Sequence, residues 1–476
     1  NFGEPENLGT GSGRHDGGDY GGDRMNMESH AWLGEYPSRW NMVKLRQVLT
    51  PVSMKNHPDM PLLSVVREKG VIKRNVEDKK ENHNYVPDDL SNYKLVKCGQ
   101  FAMNKMKAWQ GSYGISKYDG IVSPAYFVFD VNYDLNPDFF NCAIRCMTYV
   151  SYFGRASDGI RVGQWDLSIG RMKEIPFLVP PREEQDQIVR LLDWKVSGIN
   201  KLINIRKRQI AELEEIKRSK IGLLIMGQQQ NVPYKETAVS WVKTIPAHWA
   251  EKSLVQVAEE QQIKNAGMIE DNLLSLSYGK IINKDINSTD GLLPASFEGY
   301  QIVYDGNIIL RLTDLQNDHR SLRTGLVTQT GIITSAYTCL KVRGNILPEY
   351  LQLQLHVADL CKVFYGMGGG VRQSIGFKEI RKLIVAVPSI EEQQHILECV
   401  RGVEKPVNHA IQKNRDIIAG LEDLKTRLIS DVVTGKIDVR DVKIPEFNMV
   451  EEDIEDEMLE DNDETDASEE VEENNE

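Results

Sequence analysis

The chain has 476 residues and a formal charge of −13 at pH 7, long enough for two to four domains, each with its own core. It contains no run of about 18 apolar residues and no basic-then-apolar leader, which argues against a membrane-spanning helix and against secretion. Its six scattered cysteines include no CxxC pair, and no Cys/His pair lies near Cys142 and Cys146, so the expectation is reduced thiols in a cytoplasmic protein and no metal site.

In chain order, residues 1–30 form a Gly-rich, polar leader with little to bury, expected to be disordered. Residues 31–175 are rich in short β-type runs such as "AYFVFDV", broken by Gly, Asn and Asp, the pattern of a mixed α/β globule. Residues 176–230 read as a helix: Pro180 stops what precedes, Glu183 and Glu184 favour the positive helix terminus, and Gly227 sits where a left-handed C-cap is wanted. The same two-part reading then recurs, with a β-rich globule over 231–383 and a helix over 384–440. The last segment, 441–476, is acidic and expected to be extended and disordered. Residues 446–476 hold 17 Asp/Glu and no Lys or Arg, and the first 30 residues hold six acids and two arginines, so 31–445 carry about +8. A mildly basic body suits contact with phosphates.

The recurrence is a duplication. "REEQDQI" and "IEEQQHI" place Glu183-Glu184-Gln185 and Glu391-Glu392-Gln393 208 residues apart, and Gly227 and Gly435 stand at the same distance. "WLGEYPSRW" and "WVKTIPAHW" share Trp, Pro and Trp at a spacing of 209. Between them "YKLVKCGQ" answers "YQIVYDGN", and "GIVSPAY" answers "GIITSAY". A unit of just over 200 residues is too long for a solenoid repeat and indicates two similar domains in tandem.

Each helix carries a coiled-coil seam. In the first it runs through Val189, Leu192, Val196, Ile199, Ile203, Ile210 and Leu213, with Arg206 in the one gap. The second has Leu397, Val400, Val407, Ile411, Ile418 and Leu421, with Glu404 and Asn414 interrupting. Arg206 and Asn414 are equivalent and near mid-helix, so antiparallel pairing would bring them together as a register-fixing polar contact. Pro406 is expected to kink or break the second helix.

Catalytic signatures are missing: no phosphate-binding GxxxxGK[ST] loop, no HExxH, no nucleophile elbow, and no Asn or Asp before the double proline. "GMGGG" (366–370) does not follow the dinucleotide-binding pattern. What does repeat is polar and basic residues between strand-like runs. The first globule offers Lys105, Lys107, Gln110 and Lys117, and the second Arg311, Asn317, Arg320 and Arg323. Arg and Lys can bond guanine O6/N7, and Asn and Gln adenine N6/N7, so these are the side chains of base reading.

With Trp-x4-Pro-x2-Trp opening each unit, Pro-x2-Glu-Glu-Gln opening each helix, and "GGVRQSIGFKEIRKLIVAVP" joining globule to helix, residues 31–440 resemble the specificity subunit of Type I restriction–modification enzymes. The resemblance implies an α+β fold class: two tandem mixed α/β target-recognition domains, separated by two long helices pairing as an antiparallel coiled coil, in a pseudo-twofold repeat. It further implies that each domain reads half of a split, asymmetric DNA site, and that the helices dock two adenine-N6 methyltransferase subunits. Motor-nuclease subunits would join them, with S-adenosylmethionine, ATP and Mg held by the partners and none by this chain. Arg161, Arg372 and Gln373 join the DNA-binding candidates on the linking segment. The first unit departs there: "GIRVGQWDLSIG" aligns Arg161 with Arg372 and Ser168 with Ser374 but carries five extra residues. The leader and acidic tail are also outside the family pattern. Rival readings are a separate specificity subunit of a Type II restriction–methylation enzyme and a coiled-coil scaffold that does not touch DNA.

Overall fold

A computed structural model describes residues 27–452 apart from 32, 68, 75–86, 88, 160–164, 229–230, 287–293, 295, 316–321 and 368–373. Residues 1–26 and most of the acidic tail, like Trp32, lie outside the described residues, and the last four of the leader, expected to be disordered, instead pair as a strand (Met27–His30) with Gly34–Pro37. The chain divides into two compact units, one of Asn1–Asn200 with Gly420–Val450, the other of Lys201–Ala419 with the residues from Glu451 onward.

In unit one, four strands form an antiparallel sheet: β1 (Leu49–Val52), β2 (Phe101–Asn104), β3 (Tyr113–Ile115) and β4 (Tyr126–Val131), in the order β1-β4-β2-β3. Unit two repeats it with β5 (Ala258–Glu260), β6 (Ile308–Leu310), β7 (Thr324–Leu326) and β8 (Thr338–Val342), in the order β5-β8-β6-β7. Smaller pairings also match. Asn41–Lys44 pairs with Pro176–Val179 as Ala250–Ser253 pairs with Ile384–Val387. The hairpin Leu63–Val66/Gly70–Lys73 answers Leu274–Ser277/Lys280–Asn283. Residues 176–179 and 384–387 thus belong to the edges of their globules rather than to the helices that follow.

The two cores use different side chains. Unit one is filled with rings: Phe101, Tyr113, Phe129, Phe139, Phe140, Tyr149, Phe153 and Phe177 are all fully buried. Tilted or edge-on ring pairs such as Phe101–Phe140, with centroids 5.6 Å apart, knit the sheet to the helices behind it. Unit two relies on Ile308, Leu310, Leu340, Leu351, Leu355 and Val385, with Trp249, Tyr350 and Phe364 as its large rings.

The long helices run over Arg182–Ile225 and Ile390–Val433. At 44 residues each they span about 66 Å. Both end in the same way. Gly227 and Gly435 adopt φ of +66° and +79°, and the next residue's N–H returns to a carbonyl of the last turn (Gln228 to Leu223 and Lys436 to Asp431, both 2.9 Å). A Cβ on Gly227 would stand 2.7 Å from the Trp249 ring, and one on Gly435 would stand 3.1 Å from Trp40. The glycines are therefore required by the close approach of the second Trp of each Trp-Pro-Trp motif.

In unit two the helices pair antiparallel, with Lys217 bonding Asn408 at 3.1 Å and Arg206 bonding Asn414 at 3.4 Å. The two polar seam residues meet as their equivalence required. Leu192, Ile199 and Ile203 of the first seam are buried, as are Leu397, Val400 and Ile411 of the second, while the remaining seam positions are half-buried. The second helix is unbroken at Pro406. Pro406 and Gly402, whose carbonyl loses its helical donor, are both exposed, so water can take the lost bond.

Candidate nucleic-acid interface

The repeated Glu-Glu-Gln resolves into an internal joint. Gln185 donates to the Pro180 carbonyl (2.9 Å) and accepts from Asn136 N–H (2.8 Å). Gln393 donates to the Pro388 and Asn345 carbonyls (3.0 and 3.1 Å) and accepts from Leu347 N–H (2.7 Å). Asn136 and Leu347 cap the helices that follow β4 and β8. One buried amide thus ties the start of each long helix to its globule. The second Glu turns to the Trp-Pro-Trp motif: Glu184 takes the Arg39 guanidinium through two bonds of 2.6 and 3.0 Å. Glu392 takes the Trp249 indole N–H at 2.8 Å and lies 3.1 Å from His248 Nε2. Only the first Glu of each phrase, Glu183 and Glu391, is left exposed.

With the helices fixed, the variable loops project from the sheets. Lys105, Lys107 and Gln110 fall between β2 and β3 (105–112), and the second globule's loop candidates fall on the same connection between β6 and β7 (311–323), eight residues against thirteen. In each unit the linking segment returns beside it. Leu167 N–H bonds the Lys105 carbonyl (3.1 Å), Lys105 Nζ pairs with Asp166 (2.7 Å), and the Trp109 and Trp165 rings pack at a tilt with centroids 5.1 Å apart. In unit two Ile375 N–H bonds the Leu312 carbonyl (3.0 Å). The described base of the hairpin loop and the described end of the linking segment therefore meet at one edge of each globule.

Lys107 is exposed on this edge, Gln110 is half-buried, and Lys117 is exposed beyond the other end of β3. Arg311 is half-buried at the loop base. Arg161, Asn317, Arg320, Arg372 and Gln373 lie outside the described residues. Arg323 requires a correction. It is fully buried, with its guanidinium donating to the carbonyls of Arg311 (3.2 Å), Thr313 (2.7 Å) and Asp314 (3.3 Å) and to the Tyr365 hydroxyl (3.0 Å). These four bonds hold the base of the loop from inside, where a fork-shaped cation can bind several carbonyls at once.

Sequence reasoning passed over Lys94, although "YKLVKCGQ" was marked as a repeat. Its ammonium donates to the Tyr126 carbonyl at 2.6 Å and lies 5.6 Å from the Phe127 ring centre. Partial burial holds its pKa below the usual lysine range, and repulsion from Lys55 and Lys105 adds to this. Lys55 and Lys105 thus lie close enough to repel Lys94, with Lys105 itself held to Asp166. The equivalent residue in unit two is Gln301, which makes the corresponding bond to the Tyr337 carbonyl, also at 2.6 Å. Among the described residues no group of His, Cys, Asp and Glu could hold a metal ion, and no helix is long and apolar enough to cross a membrane.

The architecture is one found in type I restriction–modification (R-M) systems. A chain from a solved structure concerned with complex assembly and conformational transition of the type I R-M system superimposes with a TM-score of 0.56 at 14% identity, covering 84% of this chain and 99% of that one. The HsdS subunit from Thermoanaerobacter tengcongensis aligns over 84% of this chain and 98% of its own, at 14% identity and a TM-score of 0.39, too low to compare whole-chain geometry. In sequence the chain is similar to the provisionally named type I restriction enzyme MjaX specificity subunit of Methanocaldococcus jannaschii, 20% identical over 435 residues, 86% of this chain and 96% of the relative. No family model matches the chain.

Proposed function

We propose that this chain is the non-catalytic specificity subunit of a type I restriction–modification complex, reading a bipartite DNA site with one globule per half-site. The observation that carries the reading is the conjunction of an identical framework with unequal loops. The sheets, the helix joints and the Gly–Trp contacts coincide between units, whereas the edge formed by hairpin loop and linking segment differs in length and chemistry. A binder that reads two unlike half-sites needs such a division. The similarity to the MjaX specificity subunit supports the same assignment.

On this reading Lys55, Lys94 and Lys105 meet phosphates of the first half-site, and the loops 105–112 and 311–323 approach base edges. Two methyltransferase subunits dock on the long helices. Support comes from an apolar stripe on the first helix, Leu202, Ile205, Ile216 and Leu223, which stays 39–48% exposed and resembles an unfilled seam. The methyl donor and the nucleotide-driven motor belong to the partner subunits, and motor-nuclease subunits complete the assembly in the cytoplasm.

The test is a swap of residues 241–383 for the same region of a relative with a different target, expressed with the partner subunits and followed by genome-wide mapping of methylated adenines. One half of the motif is expected to change while the other half and the spacing persist; a change in both halves overturns the reading. On purified complex, Lys94→Gln keeps the bond to Tyr126 and removes the charge. It should weaken binding to all sequences alike and reduce the salt slope by about one.

A further inference from the structure

The C-terminal segment was expected to be free from 441 onward, yet residues 439–452 are held against the first long helix. In unit one, Gln187 donates to the carbonyls of Val439 (3.2 Å) and Val442 (2.8 Å). Ser197 donates to the Asn448 carbonyl (2.8 Å) and accepts from Val450 N–H (2.7 Å), and Asn200 donates to the Val450 carbonyl (3.0 Å). In unit two, Asn204 donates to the Glu451 carbonyl (3.0 Å) and Lys207 lies 3.5 Å from the Glu452 carboxylate. Ser197, Asn200 and Asn204 are buried beneath this strap. Each of these bonds from Ser197 onward is to backbone or to a carboxylate, so the helix face recognises an extended peptide followed by an acid.

This face stands one residue beyond the seam positions, and the duplication carries it to the second helix. At the spacing of 208, Asn200, Asn204 and Lys207 become Asn408, Gln412 and Arg415. The chemistry is retained: amide, amide, cation at i, i+4 and i+7, on one helix face. On the second helix all three are exposed. Their contacts are to side chains only: Asn408 with Lys217, Gln412 with Asp416 at 2.9 Å, and Arg415 with Glu214 at 3.8 Å. None of them bonds the backbone of another segment among the described residues. The chain leaving Gly227, the counterpart of Gly435, cannot serve as the strap. It turns into the hairpin Tyr234–Glu236/Thr244–Pro246 and buries Val239 in the second core.

We infer that Asn408, Gln412 and Arg415 form a second strap site, which takes an extended segment of a partner protein bearing an acidic side chain just after the paired residues. Carbonyls of that segment accept from the two amides, and its carboxylate displaces Glu214 from Arg415. Exposed Lys405 and Lys413 flank the amides on the same helix, and Asp416 and Glu214, the acids now bonded to Gln412 and Arg415, are the side chains the ligand displaces. The inference is independent of the DNA reading, since it concerns only the helices and the internal repeat.

The probe is a fluorescent peptide of residues 446–452, "EFNMVEE", titrated into the full chain and followed by anisotropy. One saturable site is expected. Asn408→Ala with Gln412→Ala should weaken it about tenfold, and Arg415→Ala should weaken it and remove most of its salt dependence. A chain ending at Pro445, which retains the buried Val439 and the partly buried Val442 and Ile444, should bind two peptides, the second lost on Asn200→Ala with Asn204→Ala. The substituted positions on the second helix are exposed, so unchanged helical circular dichroism is expected and separates loss of binding from loss of fold. Absence of saturable binding to the full chain, or binding indifferent to the three substitutions on the second helix, overturns the inference.

Discussion

The two units solve one structural problem with unequal chemistry. Where the second Trp of the opening motif meets the start of a long helix, unit two satisfies everything: Glu392 receives the Trp249 N–H and faces His248. In unit one, Arg39 stands in the place of His248 and draws Glu184 to itself, and the buried Trp40 indole N–H has no partner among the described residues. The units also differ at Lys94 and Gln301, a cation and a neutral amide that bond equivalent tyrosine carbonyls. A duplicated framework therefore preserves positions and backbone bonds while the side chains that fill them drift in charge. Unit one is the more cationic at Lys94.

Three measurements would break or sharpen this comparison. The largest effect is expected at the shared amide. Gln393→Leu leaves Leu347 N–H and two carbonyls unpaired and should cost about 3–4 kcal/mol, whereas Gln185→Leu, with one carbonyl fewer, should cost about 2–3 kcal/mol. Chemical denaturation of both variants checks the order. Next is acid sensitivity confined to unit two. Burial, reinforced by Lys217 and Arg218, holds the His356 imidazole down at about 4. The folded state therefore keeps it neutral while the unfolded chain protonates near 6.5. Its stabilising contribution is complete above about pH 6.5 and declines as pH falls toward 4, by at most about 3 kcal/mol. His356→Gln should flatten that window, and hydrogen exchange at pH 5 should show unit two opening before unit one. The smallest effect separates the two Glu partners. Arg39→Ala leaves the Glu184 carboxylate buried without its guanidinium and should cost about 1–2 kcal/mol after allowance for solvent. His248→Ala should cost less than about 1 kcal/mol, because the Trp249 N–H still holds Glu392.

The framework was legible in the sequence because each landmark has a job that few residues can do. Gly227 and Gly435 carry a positive φ against a Trp ring, Gln185 and Gln393 each match a donor and an acceptor, and Arg206 and Asn414 had to meet if the helices paired antiparallel. The functional surface was less legible. Arg323 has the composition of a surface residue, yet three carbonyls and a hydroxyl claim it from inside, a pattern set by how the loop closes in three dimensions. Lys94 was hidden by lying within a strand-like repeat. The strap was masked by its own acidity, which reads as solvation. Its signal was on the receiving helix, where Ser197, Asn200 and Asn204 break the alternation expected of a charged, solvated flank.

The closure of the variable edge bears on how such a protein changes over generations. In both units the hairpin loop is moored to the linking segment by one backbone bond near its base, Leu167 to Lys105 and Ile375 to Leu312. Outside these moorings unit one has the shorter hairpin loop and the longer linking segment, and unit two the reverse. Residues can be gained or lost on the far side of such a mooring without altering any strand register, helix joint or core contact. Closing a somewhat longer loop costs only a few tenths of a kcal/mol. Mutation can thus explore loop length and composition at nearly constant stability, and new surfaces can arise in one globule while its twin keeps the old one.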